Sequence, residues 1–150
     1  MIYRTVIQSL LAIVLALLLL NVPPDTRGRI HEIDSTRLME FRAWREKVLG
    51  VNLAAGAGIR KRARGSIWEM TLPQARTVNY VQLQEEIALG QRISGFRVEA
   101  EDADGWRTVA EGTTIVYKRI LPVATVTAQK VRVTITASLA RPVLKDIALY

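Results

Sequence analysis

The sequence predicts a mainly β protein: an antiparallel β-sandwich of the jelly-roll type over residues 66–150, preceded by an apolar N-terminal helix and one amphipathic helix. Three observations carry this. From residue 66 onward, apolar and polar side chains alternate with period two, as strands with one buried face do. Turn signals interrupt that alternation at short intervals, with no helical pattern between them. A helical period with a clear polar face occurs once, over residues 35–49.

Size and composition set the outer limits. A chain of 150 residues holds one ordinary domain with an appended element. It is too short for a complete eight-fold α/β barrel, which needs about 250 residues. The absence of cysteine excludes disulfide scaffolds, thiolate zinc sites and thiol nucleophiles. A lone histidine, His31, leaves no multi-histidine metal site and no histidine-dependent triad, so neither metal nor cofactor is expected.

Taken in order, residues 1–20 open with Arg4 and continue into an unbroken apolar run over 10–20. Hydropathy alone reads this as a signal peptide, a membrane anchor or a buried strand. Pro23-Pro24-Asp25 and Gly28 then form a turn that stops any regular element. Asp34 reads as the N-cap of the helix over 35–49, with Ile33 and Leu38 as a hydrophobic staple and Gly50 as the closing glycine. Leu38, Phe41, Trp44, Val48 and Leu49 form its apolar stripe, and Arg37, Glu40, Arg42, Glu46 and Lys47 its polar face.

Much of the net charge of +7 lies before residue 66, above all in Arg60-Lys61-Arg62 and Arg64. That run reads as a solvated linker over 59–65, and it lacks the aromatic interleaving of a nucleic-acid face, so no nucleic-acid partner is expected.

About seven short strands follow. Trp68, Met70 and Leu72 share a face before Pro73, and Val81 and Leu83 begin the next run. Phe96, Val98 and Ala100 alternate with Arg97, Glu99 and Glu101, and Asp104-Gly105 marks a hairpin turn into Trp106. Ile115 and Tyr117 precede Pro122, Val131, Val133 and Ile135 alternate with polar residues, and 144–150 closes the chain.

Chemistry is sparse on spacing alone. Glu99 and Glu101 stand two apart on one strand face, roughly 7 Å from each other, a separation within the range of an inverting glycosidase pair. Any solvent face of a strand produces that spacing, so it marks no active site. Glu85 and Glu86 point to opposite faces if extended and form no pair.

The residues themselves resemble a family. Val81-Gln82-Leu83-Gln84-Glu85-Glu86-Ile87-Ala88-Leu89-Gly90-Gln91-Arg92 is similar to a signature in the C-terminal sandwich of bacterial and plant-type α-L-fucosidases, family 29 of the glycoside hydrolases. Trp106, Glu111-Gly112-Thr113-Thr114-Ile115, Tyr117-Lys118-Arg119-Ile120 and Arg141-Pro142-Val143-Leu144 match later blocks. Leu18-Leu19-Leu20-Asn21-Val22-Pro23-Pro24-Asp25, with Ile30-His31-Glu32, resembles the last barrel strand of the catalytic domain and the turn after it. Arg37-Leu38 with Glu40-Phe41 resembles the closing barrel helix.

The resemblance implies an organisation and a role. Residues 1–20 are an apolar helix, anchor-like or a barrel remnant; 21–58 are the end of the catalytic barrel; 59–65 link; 66–150 are a discoidin-like accessory sandwich. The chain is then a C-terminal fragment without the catalytic carboxylates, which lie upstream in the family, and is inactive alone. Its glycan, a fucosylated one, is met through the parent enzyme, and the missing barrel portion is a candidate partner on another chain. Asn21 would lie near the sugar pocket of an intact barrel. The alternative reading is a membrane-anchored or secreted carbohydrate-binding module with Trp106 as the sugar platform. Either implies a secreted, periplasmic or membrane-anchored protein, with membrane contact through residues 1–20. Two departures stand out. A few dozen family residues are missing between Ala57 and Ser66, so the sandwich is expected to be incomplete, and Val116 stands where the family has glycine.

Overall fold

A computed structural model describes residues 21–150, with Arg64 described by its backbone alone. The apolar helix expected within residues 1–20 lies outside the described residues. Contacts divide the chain into two units, one ending at Val51 and the other running over Asn52–Tyr150.

The first unit is a turn and a helix. Asp25 organises the turn by accepting the backbone N–H of Arg27 (2.8 Å) and Arg29 (3.1 Å) and by pairing with the Arg27 guanidinium at 2.7 Å. Pro24 and Ile30 bridge across it, and Gly28 supplies the positive φ of 73°. Helix α1, Glu32–Leu49, follows. It starts three residues earlier than the Asp34 cap predicts. His31 is extended, its Nδ1 accepts the N–H of Ile33 at 3.2 Å, and its carbonyl accepts the N–H of Ser35. Asp34 therefore falls in the first turn beside Glu32, where both carboxylates favour the positive end of the helix dipole. The five predicted stripe residues are all half-buried, with Phe41 and Trp44 stacked at 6.0 Å between ring centroids. The polar face carries the ion pairs Arg37–Glu40 and Arg42–Glu46.

The second unit contains six antiparallel strands: β1 (Gly58–Arg62), β2 (Ile67–Glu85), β3 (Ile93–Asp102), β4 (Gly105–Gly112), β5 (Arg119–Ser138) and β6 (Leu144–Leu149). Their order is β1-β2-β5-β3-β4, with β6 on the distal half of β2. Strands β2 and β5 are long because each runs on through a proline, Pro73 in β2 and Pro122 in β5. Pro73 sits in the stretch between Thr71 and Arg76 where the ladder with β5 is interrupted, and Pro122 pairs with Tyr80 just past a second register shift. A proline has no N–H to donate, so it is tolerated where the ladder has already slipped. The proximal halves pair with β1 and β3, the distal half of β2 with β6, and both halves contribute to one core. This is the expected sandwich, built from two bent strands shared by its leaves, and the sheet does not close.

Register explains the core. Trp68, Val133 and Val98 lie side by side across three strands, and so do Met70, Val131 and Ala100. All six are buried, as are Val81, Leu83, Ile147 and Leu149 in the distal leaf. Gly112 faces the Phe96 ring so closely that a Cβ there would meet it at 2.9 Å.

The basic run differs from expectation. Residues 58–62 are the edge strand β1, every residue exposed, and Ala63–Gly65 is a 3-10 turn; the predicted linker is thus part of the sheet. Its charge finds a counter-ion in Glu69 on β2, which pairs with Arg62 at 3.5 Å. Cations along an exposed edge also oppose pairing with another chain.

One end of the sandwich is closed by the loops 86–92, 113–118 and 139–143. Glu85, 1% exposed, receives the N–H groups of Arg92 (2.6 Å) and Ile93 (3.0 Å) on Oε1, while Oε2 has no partner among the described residues. Val116, at φ 62°, offers its carbonyl to the Glu85 N–H at 3.1 Å; a β-branched residue is strained in that conformation. Glu85→Ala should lower unfolding free energy by about 2–4 kcal/mol, since it strands two buried N–H groups, whereas Glu85→Gln, which keeps an acceptor, should cost less than about 1 kcal/mol. Urea melts of the three proteins compare them.

Candidate functional site

The outer face of the larger leaf carries the carboxylates predicted from sequence. Glu99 and Glu101 share that face, as their spacing requires, but each is held by its own cation. Arg132, across the strand pair from Glu99, donates Nε and Nη2 to its two carboxylate oxygens at 2.7 and 2.8 Å, and the Thr134 hydroxyl adds a bond at 3.2 Å. Lys130 Nζ meets Glu101 at 2.7 Å. The hydrogen bond from Arg132 holds the Glu99 carboxyl below the ordinary glutamate range, against the opposing effect of burial, and Glu99 in turn raises the Arg132 guanidinium. A carboxyl so depressed is a poor proton donor at neutral pH. The arrangement suits a structural ion pair.

Trp106, second in β4, lies directly opposite Glu101, after the two-residue turn Ala103-Asp104 in which the Asp104 N–H bonds to the Asp102 side chain; Gly105, which follows it, takes φ 109°. Its indole is half-buried and outside the core cluster, with the Arg132 guanidinium 4.3 Å from the ring centroid. One face of the ring is therefore taken by a cation–π contact, and a ligand would have to use the other. Asn21 is exposed and belongs to the other unit, so the two predicted site residues fall in separate units.

The loop-closed end holds two charged residues, Glu85 and Arg119, on the core side of their strands. Arg119 points into the core side of β5, its guanidinium 5.4 Å from the Phe96 ring centroid and donating to the Thr114 carbonyl. Burial lowers its pKa, and its Nε has no partner among the described residues. The available signal was position: Glu85 and Arg119 sit where the alternation of their strands calls for apolar side chains. Among the described residues no three acidic or histidine side chains converge as a metal site, and no helix is long and apolar enough to cross a membrane.

Against known proteins, no family model matches the chain. A protein of Oryza sativa subsp. japonica, provisionally named alpha-L-fucosidase 1, is 32% identical over 89% of this chain and 32% of its own length. The crystal structure of a glycoside hydrolase 29 family member from an unknown rumen bacterium superposes with a TM-score of 0.80 at 31% identity, covering 88% of this chain and 25% of that one. The family 32 carbohydrate-binding module of Streptococcus pneumoniae EndoD matches in fold, with a TM-score of 0.56 at 16% identity over 67% of this chain and 99% of the module. The chain thus spans about a third of the curated relative it matches.

The Glu99–Arg132 pair has a pH signature. Because the folded-state pKa of Glu99 lies below its unfolded value near 4.5, its stabilisation is complete above that value and is lost as pH falls through the lowered one. Glu99→Gln should reduce stability at pH 7 by about 1–2 kcal/mol and flatten the loss of stability on acidification below about pH 4.5. Thermal melts at stepped pH values measure both effects.

Proposed function

We propose, from the premise that the homologues of this chain are α-L-fucosidases of glycoside hydrolase family 29, that it is the C-terminal accessory part of such an enzyme and carries neither catalytic carboxylate. The observation that carries this is the asymmetry of coverage: relatives match nearly all of this chain with only a quarter to a third of their own length. The paired state of Glu99 and Glu101 supports it, since each carboxyl group is already engaged by its own cation. Fucosyl hydrolysis then belongs to a parent or partner polypeptide bearing the barrel, and the half-buried Phe41 and Trp44 stripe of α1 is the surface that would dock there. Asn21, in the turn before α1, would approach the sugar pocket of that assembly.

A second reading is a carbohydrate-binding module, secreted or membrane-anchored. The likeness to nearly the whole of a carbohydrate-binding module favours it. In that reading the open face of Trp106 stacks on a sugar ring.

The purified chain should release no detectable product from an aryl α-L-fucoside; turnover that Glu99→Gln or Glu101→Gln abolishes would overturn the accessory reading. Under the second reading, a glycan array should show binding that Trp106→Ala reduces at least about tenfold, the loss of one stacking contact of about 1.4 kcal/mol or more. An array with no binding, or with binding unchanged in that variant, rejects Trp106 as a platform.

A further inference from the structure

Four of the five large apolar side chains exposed in the sandwich unit stand on the loops that close one end of it. They are Ile87 (37%) and Leu89 (51%) on loop 86–92, Tyr117 (42%) on loop 113–118, and Leu139 (85%) on loop 139–143. These loops are tied together. The Glu85 N–H bonds to the Val116 carbonyl, the Glu86 N–H to the Val143 carbonyl at 3.0 Å, and the Leu139 N–H to the Arg92 carbonyl at 2.7 Å. The Arg92 guanidinium adds bonds to the carbonyls of Leu89 (3.0 Å) and Arg141 (3.1 Å). The apolar side chains are therefore presented on a fixed frame.

Charge and position narrow what this end meets. The loops hold Arg92, Lys118 and Arg141 against a single acid, Glu86, and neither Lys118 nor Arg141 has an ion-pair partner among the described residues. The chain enters the unit at Asn52 and Leu53, which bond to Leu149, and it ends at Tyr150. The loops lie at the other end of β6, where Leu144 pairs with Glu85, about 17 Å away at about 3.3 Å per residue. Four side chains on loop tips bury far less than the ~800 Å² each partner contributes to a stable protein complex. Three of the four are aliphatic, which suits neither sugar stacking nor hydrogen bonding. Aliphatic tips on loops that also carry the unpaired Lys118 and Arg141 fit a surface that is apolar just beneath an anionic layer.

We propose that this end of the sandwich docks on an anionic lipid bilayer. Leu139, Tyr117, Ile87 and Leu89 enter the interfacial layer, and Lys118 and Arg141 meet the phosphate headgroups. The inference is independent of the fucosidase reading.

The test is sedimentation of the full chain with phosphatidylcholine vesicles, with and without about 30% phosphatidylglycerol, at about 100 mM salt. The expected result is at least about tenfold stronger binding to the anionic vesicles, lost by about tenfold in Leu139→Glu and in the double variant Lys118→Glu/Arg141→Glu. Far-UV circular dichroism checks that both variants fold; Leu139 and Arg141 are exposed and Lys118 is half-buried. Equal sedimentation of wild type and variants would overturn the proposal and assign the binding to residues 1–20. Absence of binding to either vesicle would also overturn it and leave this face to an acidic protein partner.

Discussion

The carboxylate of Glu85 lies at the end of five consecutive buried residues of β2, and its Oε1 accepts the N–H groups of both Arg92 and Ile93. Burial makes the loss of these bonds expensive, since each N–H would be left without an acceptor. Through them the 86–92 loop is pinned to β2 and the start of β3 is set, hence the register of β3 on β5. The Arg92 side chain passes the constraint to the 139–143 loop, and the N–H of Glu85 passes it to the 113–118 loop. One buried acid thus holds three loops that share no sequence neighbourhood. The strained Val116 is held in the same place, by a bond to the same residue.

Electrostatics separate this structural use of charge from a catalytic one. A glycosidase needs one carboxyl raised enough to give up a proton and a second left ionised. On the outer face the opposite holds: Glu99 is depressed by a bidentate arginine, and Glu101 is paired with Lys130. Arg132 also covers Trp106, so the acid, the cation and the aromatic ring form one ladder across β3, β4 and β5. Such a ladder stiffens the solvent face of a sheet whose other face is apolar.

Much of the fold was legible in the sequence because period-two and period-3.6 patterns report burial directly. Trp68, Met70, Leu72, Val98 and Val133 are buried as alternation requires, and the stripe of α1 contains the predicted residues. Misreadings arose where tertiary pairing overrode a local signal. Pro73 follows the Trp68–Leu72 alternation as a strand end would, yet β2 runs on through it where the ladder to β5 slips. The basic run looks like a linker, yet backbone pairing with β2 and the counter-charge of Glu69 make it an edge strand. His31 caps the helix in place of Asp34 because its backbone was already extended three residues earlier. Of the candidate site, the shared face of Glu99 and Glu101 was readable. Their cations were not, since Arg132 lies 33 residues from Glu99 and only strand register brings them together.

Homology to α-L-fucosidases and the fold of a carbohydrate-binding module fit one physical picture: a sandwich held rigid at its loop end, with its solvent face locked in ion pairs. That rigidity rests on Glu85. Native-state hydrogen exchange at the Arg92 and Ile93 amides reads it directly. Both should exchange only through global unfolding, with the same free energy as the amides of Val98 and Val133 in the core. Exchange of Arg92 and Ile93 through local opening, far faster than those core amides, would contradict it.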